Sequence, residues 1–236
     1  MSTPPNKPWR LHPAWIALLA ALAVLLAAFV PTLWHTISAP PVAPPSTVSA
    51  GLPWTIERLP GGGTRVFGLS LPGSTLNDAH AAWGDELQLA LMASRGQPAV
   101  LEAYVENYRS GPITGRLVLS AEAPHEALTR WRDHAAKEEP VSADTRRIAL
   151  RAEDRSEALR APIMGIGFIP SVQLDAATLR QRFGEPAQRV HDGAPVEHWL
   201  YPERGLAIAL DAKGRELLQF VAPAEFERRL RAPLVN

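Results

Sequence analysis

The chain of 236 residues contains no cysteine. That absence excludes disulfides, thiolate metal sites, a nucleophilic cysteine and the acylated cysteine of a lipoprotein. Charge of one sign is missing too, since 24 Lys and Arg face 24 Asp and Glu. A nearly neutral protein lacks the basic footprint needed to displace counterions from nucleic-acid phosphates. Charge of either sign is scarce at the start, where Lys7 and Arg10 are the only charged side chains before Glu57. Catalytic signatures are also lacking. There is no G-x-S-x-G elbow, and the triple glycine of "PGGGT" lacks the Lys-Ser/Thr ending of a phosphate loop.

What the first residues do contain is an apolar run. "PAWIALLAALAVLLAAFVPTLW", residues 13–34, carries no charge and is long enough to cross a hydrocarbon core as a helix. Trp15 and Trp34 fall near its two ends, where indoles favour the membrane interfaces. Lys7 and Arg10 precede the span, so the positive-inside bias predicts a cytoplasmic tail over 1–12 and a periplasmic remainder in a bacterial inner membrane. A cleaved signal peptide is the rival reading. The length of the run and Pro40, just after the small-residue site at Ala39, argue against it. Residues 35–53, rich in Pro, Ala and Ser, read as an extended stalk, with a ligand for a proline-reading domain as the alternative.

Beyond the stalk the sequence predicts two tandem α+β copies, 54–140 and 141–236, each a helix, an antiparallel sheet and a second helix. In the first, a hairpin of "WTIERL" and "RVFGLSL" leads to a short helix in "STLNDAHAAWG", capped by Ser74 or Thr75 and ended by Gly84. Alternating runs at 86–94, 99–107 and 115–123 read as strands, and "PHEALTRWRDHAAKEE" reads as the closing helix. In the second, Asp175 caps "AATLRQRF", Gly184 ends it, and strand-like runs follow at 187–193, 196–202, 206–212 and 216–222, with "DAKG" as a hairpin turn. "PAEFERRL" then answers "PHEALTRW". Between the copies, "DTRRIALR", "AEDRSEALR" and "IMGIGFIP" read as strand, short helix and buried strand. The two copies either keep separate sheets or join side by side as one longer sheet.

The segment "RFGEP", then "EHWLY", then "GLAIALDAKGRELLQF" resembles the SmpA/OmlA-type (BamE-like) domain. That is the domain of the small outer-membrane lipoprotein component of the β-barrel assembly machinery. Gly184, Pro186, Trp199, Tyr201, Asp211 and Gly214 fall on the pattern. The first copy keeps "PGSTL" and "WG" but has Asp85 and Glu86 in place of the x-Pro. A membrane span also stands where that family has a lipid-bearing cysteine. The resemblance implies an α+β scaffold that binds other envelope proteins without catalysis.

Candidate reactive groups are few. His191 and His198, with Asp192 and Glu197, invite a metal site, but residues seven apart across a hairpin share a face only in the right register. "HEALTRW" has Thr129 where a zinc helix needs its second histidine. His80 beside Asp78 lacks a third group. No catalytic, cofactor or metal site is therefore expected. Trp83, Tyr104, Trp131, Trp199 and Tyr201 are the candidate partner contacts, since exposed aromatics serve as binding hot spots. The reading that follows is a membrane-anchored periplasmic adaptor or assembly factor whose partners are envelope or inner-membrane proteins. The alternative is an anchored enzyme or small-ligand sensor with a site between the copies holding His80, His191 or His198. An immunity or inhibitor module is a third possibility.

Overall fold

The computed structural model describes residues 51–135, 137–191, 196–211 and 216–235. The proposed span at 13–34, most of the stalk and the last three residues of the "DAKG" turn lie outside them. Among the described residues no helix is long and apolar enough to cross a membrane.

Near the N-terminal side, β1 (Glu57–Arg58), β2 (Thr64–Val66) and β3 (Leu69–Leu71) form a small antiparallel sheet. The run expected as one strand, "RVFGLSL", is broken by a tight turn at Phe67 and Gly68, which have φ of 54° and 81°. Positive φ is common for glycine and unusual for phenylalanine. Phe67 is held there by what it buries, with its ring 5.5 Å from those of Tyr108, Phe168 and Phe220. It pins the small sheet onto the large one.

The chain continues through α1 (Leu76–Trp83), β4 (Leu87–Ser94), β5 (Val100–Ser110), β6 (Ile113–Ala121) and α2 (His125–Asp133). Next come β7 (Lys137–Pro140), β8 (Thr145–Ala149), α3 (Ala152–Ala158), β9 (Ile163–Pro170) and α4 (Ala176–Phe183). The strands β10 (Gln188–His191), β11 (Val196–Tyr201), β12 (Leu206–Asp211) and β13 (Leu217–Val221) follow. A 3-10 turn, a π-helical turn (Glu227–Arg231) and α5 (Ala232–Val235) end the chain.

Local chemistry explains the short helices. The Thr75 N–H donates to Asp78 Oδ2 at 2.7 Å, and Asp175 Oδ1 accepts from the Thr178 N–H at 2.6 Å. Both arrangements satisfy backbone donors at a helix start. Gly84 and Gly184, at φ of 55° and 77°, end α1 and α4 by donating to the carbonyls of His80 and Arg180.

The expected pair of α+β copies is not what forms. Ten strands make one antiparallel sheet in the order β10-β11-β12-β13-β9-β6-β5-β4-β8-β7, and strand outweighs helix. The reason is β9. Phe168 pairs with Leu117 of β6 on one side and with Leu218 of β13 on the other, so one strand completes the hydrogen bonding of both halves. Two separate small sheets would each have left an open edge there. A second correction concerns 124–139, expected as one helix. The helix stops at Asp133, and "KEEP" becomes the edge strand β7, whose Glu138 and Glu139 lie opposite Ile148 and Arg147 of β8.

One face of the sheet, the inner face, carries the core. Leu91, Leu101, Leu117, Leu119, Ile166, Phe168, Ile208, Leu218 and Phe220 are buried beneath the helices and the small sheet. Helix side chains Leu76, Ala79, Ala127, Trp131, Leu179 and Phe183 fill it from above. The Tyr201 hydroxyl donates to the Gly184 carbonyl at 2.9 Å, tying β11 to the end of α4.

Candidate functional site

The β7 edge of the large sheet is blunted against strand addition. All four residues of β7 are exposed, and the strand ends in Pro140. At the other edge Arg231 of the C-terminal segment donates from Nε to Gln188 Oε1 of β10 at 3.0 Å, while three of the four β10 residues remain exposed.

The outer face is different in its two halves. Phe226 and Leu230 of the C-terminal segment pack on Leu200, Ala207 and Val221, so the outer side of β11–β13 is buried. That cover stops at β9. Across β9, β6 and β5 the outer row runs Val221, Gly165, Ser120, Glu102, and the next row runs Gln219, Gly167, Val118, Tyr104. Between the C-terminal segment and β5 these rows form a trough of about 390 Å³, lined by Val118, Gly165, Gly167, Ile169, Leu217 and Leu230, with Glu102 and Arg229 at its rim. Two glycines on one face of β9 leave the floor without side chains.

The charges of this face are mostly paired. Arg116 Nε lies 2.7 Å from Glu106 Oε2, and Arg229 Nε lies 3.1 Å from Glu225 Oε2. The Arg147 guanidinium sits 4.6 Å from the centre of the Tyr104 ring, a cation–π arrangement. Among the described residues Glu102 has no such neighbour. Its cross-strand partners are Ala90 and Ser120, and burial pushes its carboxyl above the ordinary range.

The expected contact aromatics are placed otherwise than a binding role requires. Trp131 and Trp199 are each 1% exposed and belong to the core. Tyr201 is buried, and its hydroxyl is pushed up to about 12 by desolvation. Tyr104 lies on the outer face beneath Arg147, and Trp83 is half-buried against Tyr108 at 6.1 Å. Only Trp83 of the five keeps appreciable surface.

The histidines do not converge. His191 is opposite Glu197, while His198 is opposite Val190, so the two histidines point to opposite faces. Asp78 is engaged with the start of α1, two positions from His80. Among the described residues no three His, Asp or Glu side chains gather where they could hold a metal ion. The junction of the two halves therefore holds Glu102 and none of His80, His191 and His198. The trough was missed in the sequence because "IMGIGF" reads as a plain buried strand. The available signal was two glycines two residues apart, which strip one face of a strand of its side chains.

No family model, curated protein or solved structure matches this chain.

Proposed function

We propose that the protein is a membrane-anchored periplasmic adaptor or assembly factor, held in the inner membrane by residues 13–34 and binding other envelope proteins without catalysis. One observation carries this reading. Among the described residues no helix or terminal segment lies over the outer face of β4–β6 and β9, beside a half of the same sheet that is covered, and that face contains an apolar trough. An uncovered apolar recess rimmed by polar groups suits a protein contact. The resemblance of "RFGEP…EHWLY" to SmpA/OmlA-type envelope scaffolds supports the same function. With the β7 edge guarded by charge and Pro140, the contact falls on the sheet face beside it rather than on that edge.

The test is photo-crosslinking in native membranes, with a photoreactive residue at Val118 or Met92 on the bare face and at Glu126 on α2 for comparison. The expected result is a discrete adduct with an envelope protein from the bare-face positions and none from Glu126. Silence at all three positions would remove the adaptor reading.

A further inference from the structure

The glycines of the trough are not explained by the backbone. Neither Gly165 nor Gly167 has a positive φ. A Cβ at Gly167 would stand 3.7 Å from Leu217 Cδ1 and 3.8 Å from Val118 Cβ, which is ordinary contact. Gly115 of the neighbouring strand is the contrast, since a Cβ there would lie 2.5 Å from the Ile169 carbonyl oxygen and from the Phe168 ring. Gly115 is demanded by packing, whereas Gly167 is not. Glycine weakens a central strand, and where the fold does not require it, the remaining gain is close approach by something else.

Glu102 is the second observation. It stands in a cross-strand row of small residues, Ala90, Ser120 and Gly165, where it is partly desolvated. Among the described residues no cation pairs with it, while Arg116 and Arg229 are held by Glu106 and Glu225. A half-buried carboxylate without a partner is stabilised by an incoming cation more than an exposed one, because less water competes for it.

From these two features we infer that the trough takes an extended peptide segment of the partner protein, with one large apolar side chain over Gly165 and Gly167 and a Lys or Arg against Glu102. This deepens the adaptor reading and rests on it. Spacing follows from the sheet. β9 and β5 are separated by β6, so the two subsites are about 10 Å apart, the width of two strand spacings. An extended chain rises about 3.3 Å per residue and alternates its side chains between faces, so the apolar and basic residues are two positions apart, the length of the Lys or Arg side chain covering the remainder. An anionic lipid headgroup is disfavoured by Glu102. A second copy of the chain using the same face would set two Glu102 carboxylates against each other.

The probe is a random dodecapeptide phage library panned against the full-length protein in lipid nanodiscs, with the enriched peptides then synthesised and titrated by fluorescence anisotropy. The expected peptides pair a Phe, Leu, Ile or Met with a Lys or Arg two positions away. Their affinity falls about tenfold or more in Gly167→Leu, which fills the trough, and in Glu102→Lys, which reverses the charge. Glu102→Gln weakens them severalfold with no loss of thermal stability, so it decides the matter if Gly167→Leu does not fold. Enrichment without that apolar-basic pairing, no enrichment, or affinities indifferent to the Glu102 and Gly167 changes would each overturn the inference. If bare-face cross-links still form in those cases, the adaptor reading survives and only the partner chemistry falls.

Discussion

The two halves of the ten-stranded sheet share β9 and one continuous inner core, yet they treat their outer faces in opposite ways. On the β11–β13 side, Leu200, Ala207 and Val221 are covered by Phe226 and Leu230. On the β4–β6 side, the corresponding face offers Gln88, Glu102, Glu106, Arg116 and Ser120, with Val118 among them. The difference is written in the strands. β12, "LAIALD", has no polar residue before Asp211, as a strand buried on both faces requires. β6, "ITGRLVLSA", alternates buried and more exposed positions from Gly115 onward, with Arg116, Val118 and Ser120 on the outer face, as a strand with one wetter face does. A sheet can thus be covered on one half and, among the described residues, bare on the other.

The largest expected effect tests whether the halves are one unit. Phe67→Ala removes the ring that touches β5, β9 and β13 together, and it is expected to cost about 3–5 kcal/mol. Denaturant unfolding followed by tryptophan fluorescence and by circular dichroism should show a single lowered midpoint. Separate transitions for the two signals would mean that β9 does not weld the halves.

Next comes the contrast between the covered and the open face. Leu230→Ala uncovers one half and is expected to cost about 2 kcal/mol or more. Val118→Ala on the open half is expected to stay within about 0.5 kcal/mol. Equal losses in the two variants, measured by denaturant titration, would show that the outer face of β6 is covered as well. Smaller again is Asp78→Ala, which frees the Thr75 N–H at the start of α1 for about 1 kcal/mol. That loss should appear in the unfolding free energy with no change in the bare-face cross-links.

Two pH effects separate the halves most finely. Tyr201 belongs to the covered half, and its hydroxyl is raised from 10.0 to about 12, chiefly by desolvation. The folded form therefore holds its proton where the unfolded form has lost it. Its stabilising contribution is complete below pH 10.0, declines as the pH rises from there toward about 12, and is absent from the alkaline limb of Tyr201→Phe. Glu102 belongs to the open half, and its carboxyl is raised above 4.5 by burial. There the penalty grows as the pH climbs through the folded value, so Glu102→Gln is expected to be slightly more stable than the parent at pH 7 and indistinguishable below 4.5. A loss of stability in Glu102→Gln at pH 7 would mean that the carboxylate has a stabilising cation after all.

Much of the local structure was legible in the sequence. Asp175, Gly84 and Gly184 mark the ends of α1 and α4 because caps are satisfied by hydrogen bonds to residues three or four positions away. The alternation in β5 and β6 announces which side chains are inward, because the period of a strand is two. The expected contact role of Trp131 and Trp199 shows where such reading ends, since a side chain's burial depends on the element laid over it. Likewise "KEEP" carries charges that suit a solvated helix end or a guarded edge strand, and only Arg146 and Arg147 across the ladder choose between them.

By itself, then, the sequence determined the short helices with their caps, most strands of the large sheet with their inward faces, and a long uncharged run over residues 13–34. The tertiary structure alone decided that β9 would serve two halves, that the C-terminal segment would cover one of them, and that Gly165 and Gly167 would floor a trough beside Glu102. The physical reason is that backbone donors and acceptors at a strand's edge are alike in every strand. Which strand lies alongside is therefore settled by how whole faces bury together, a property of residues far apart in the chain.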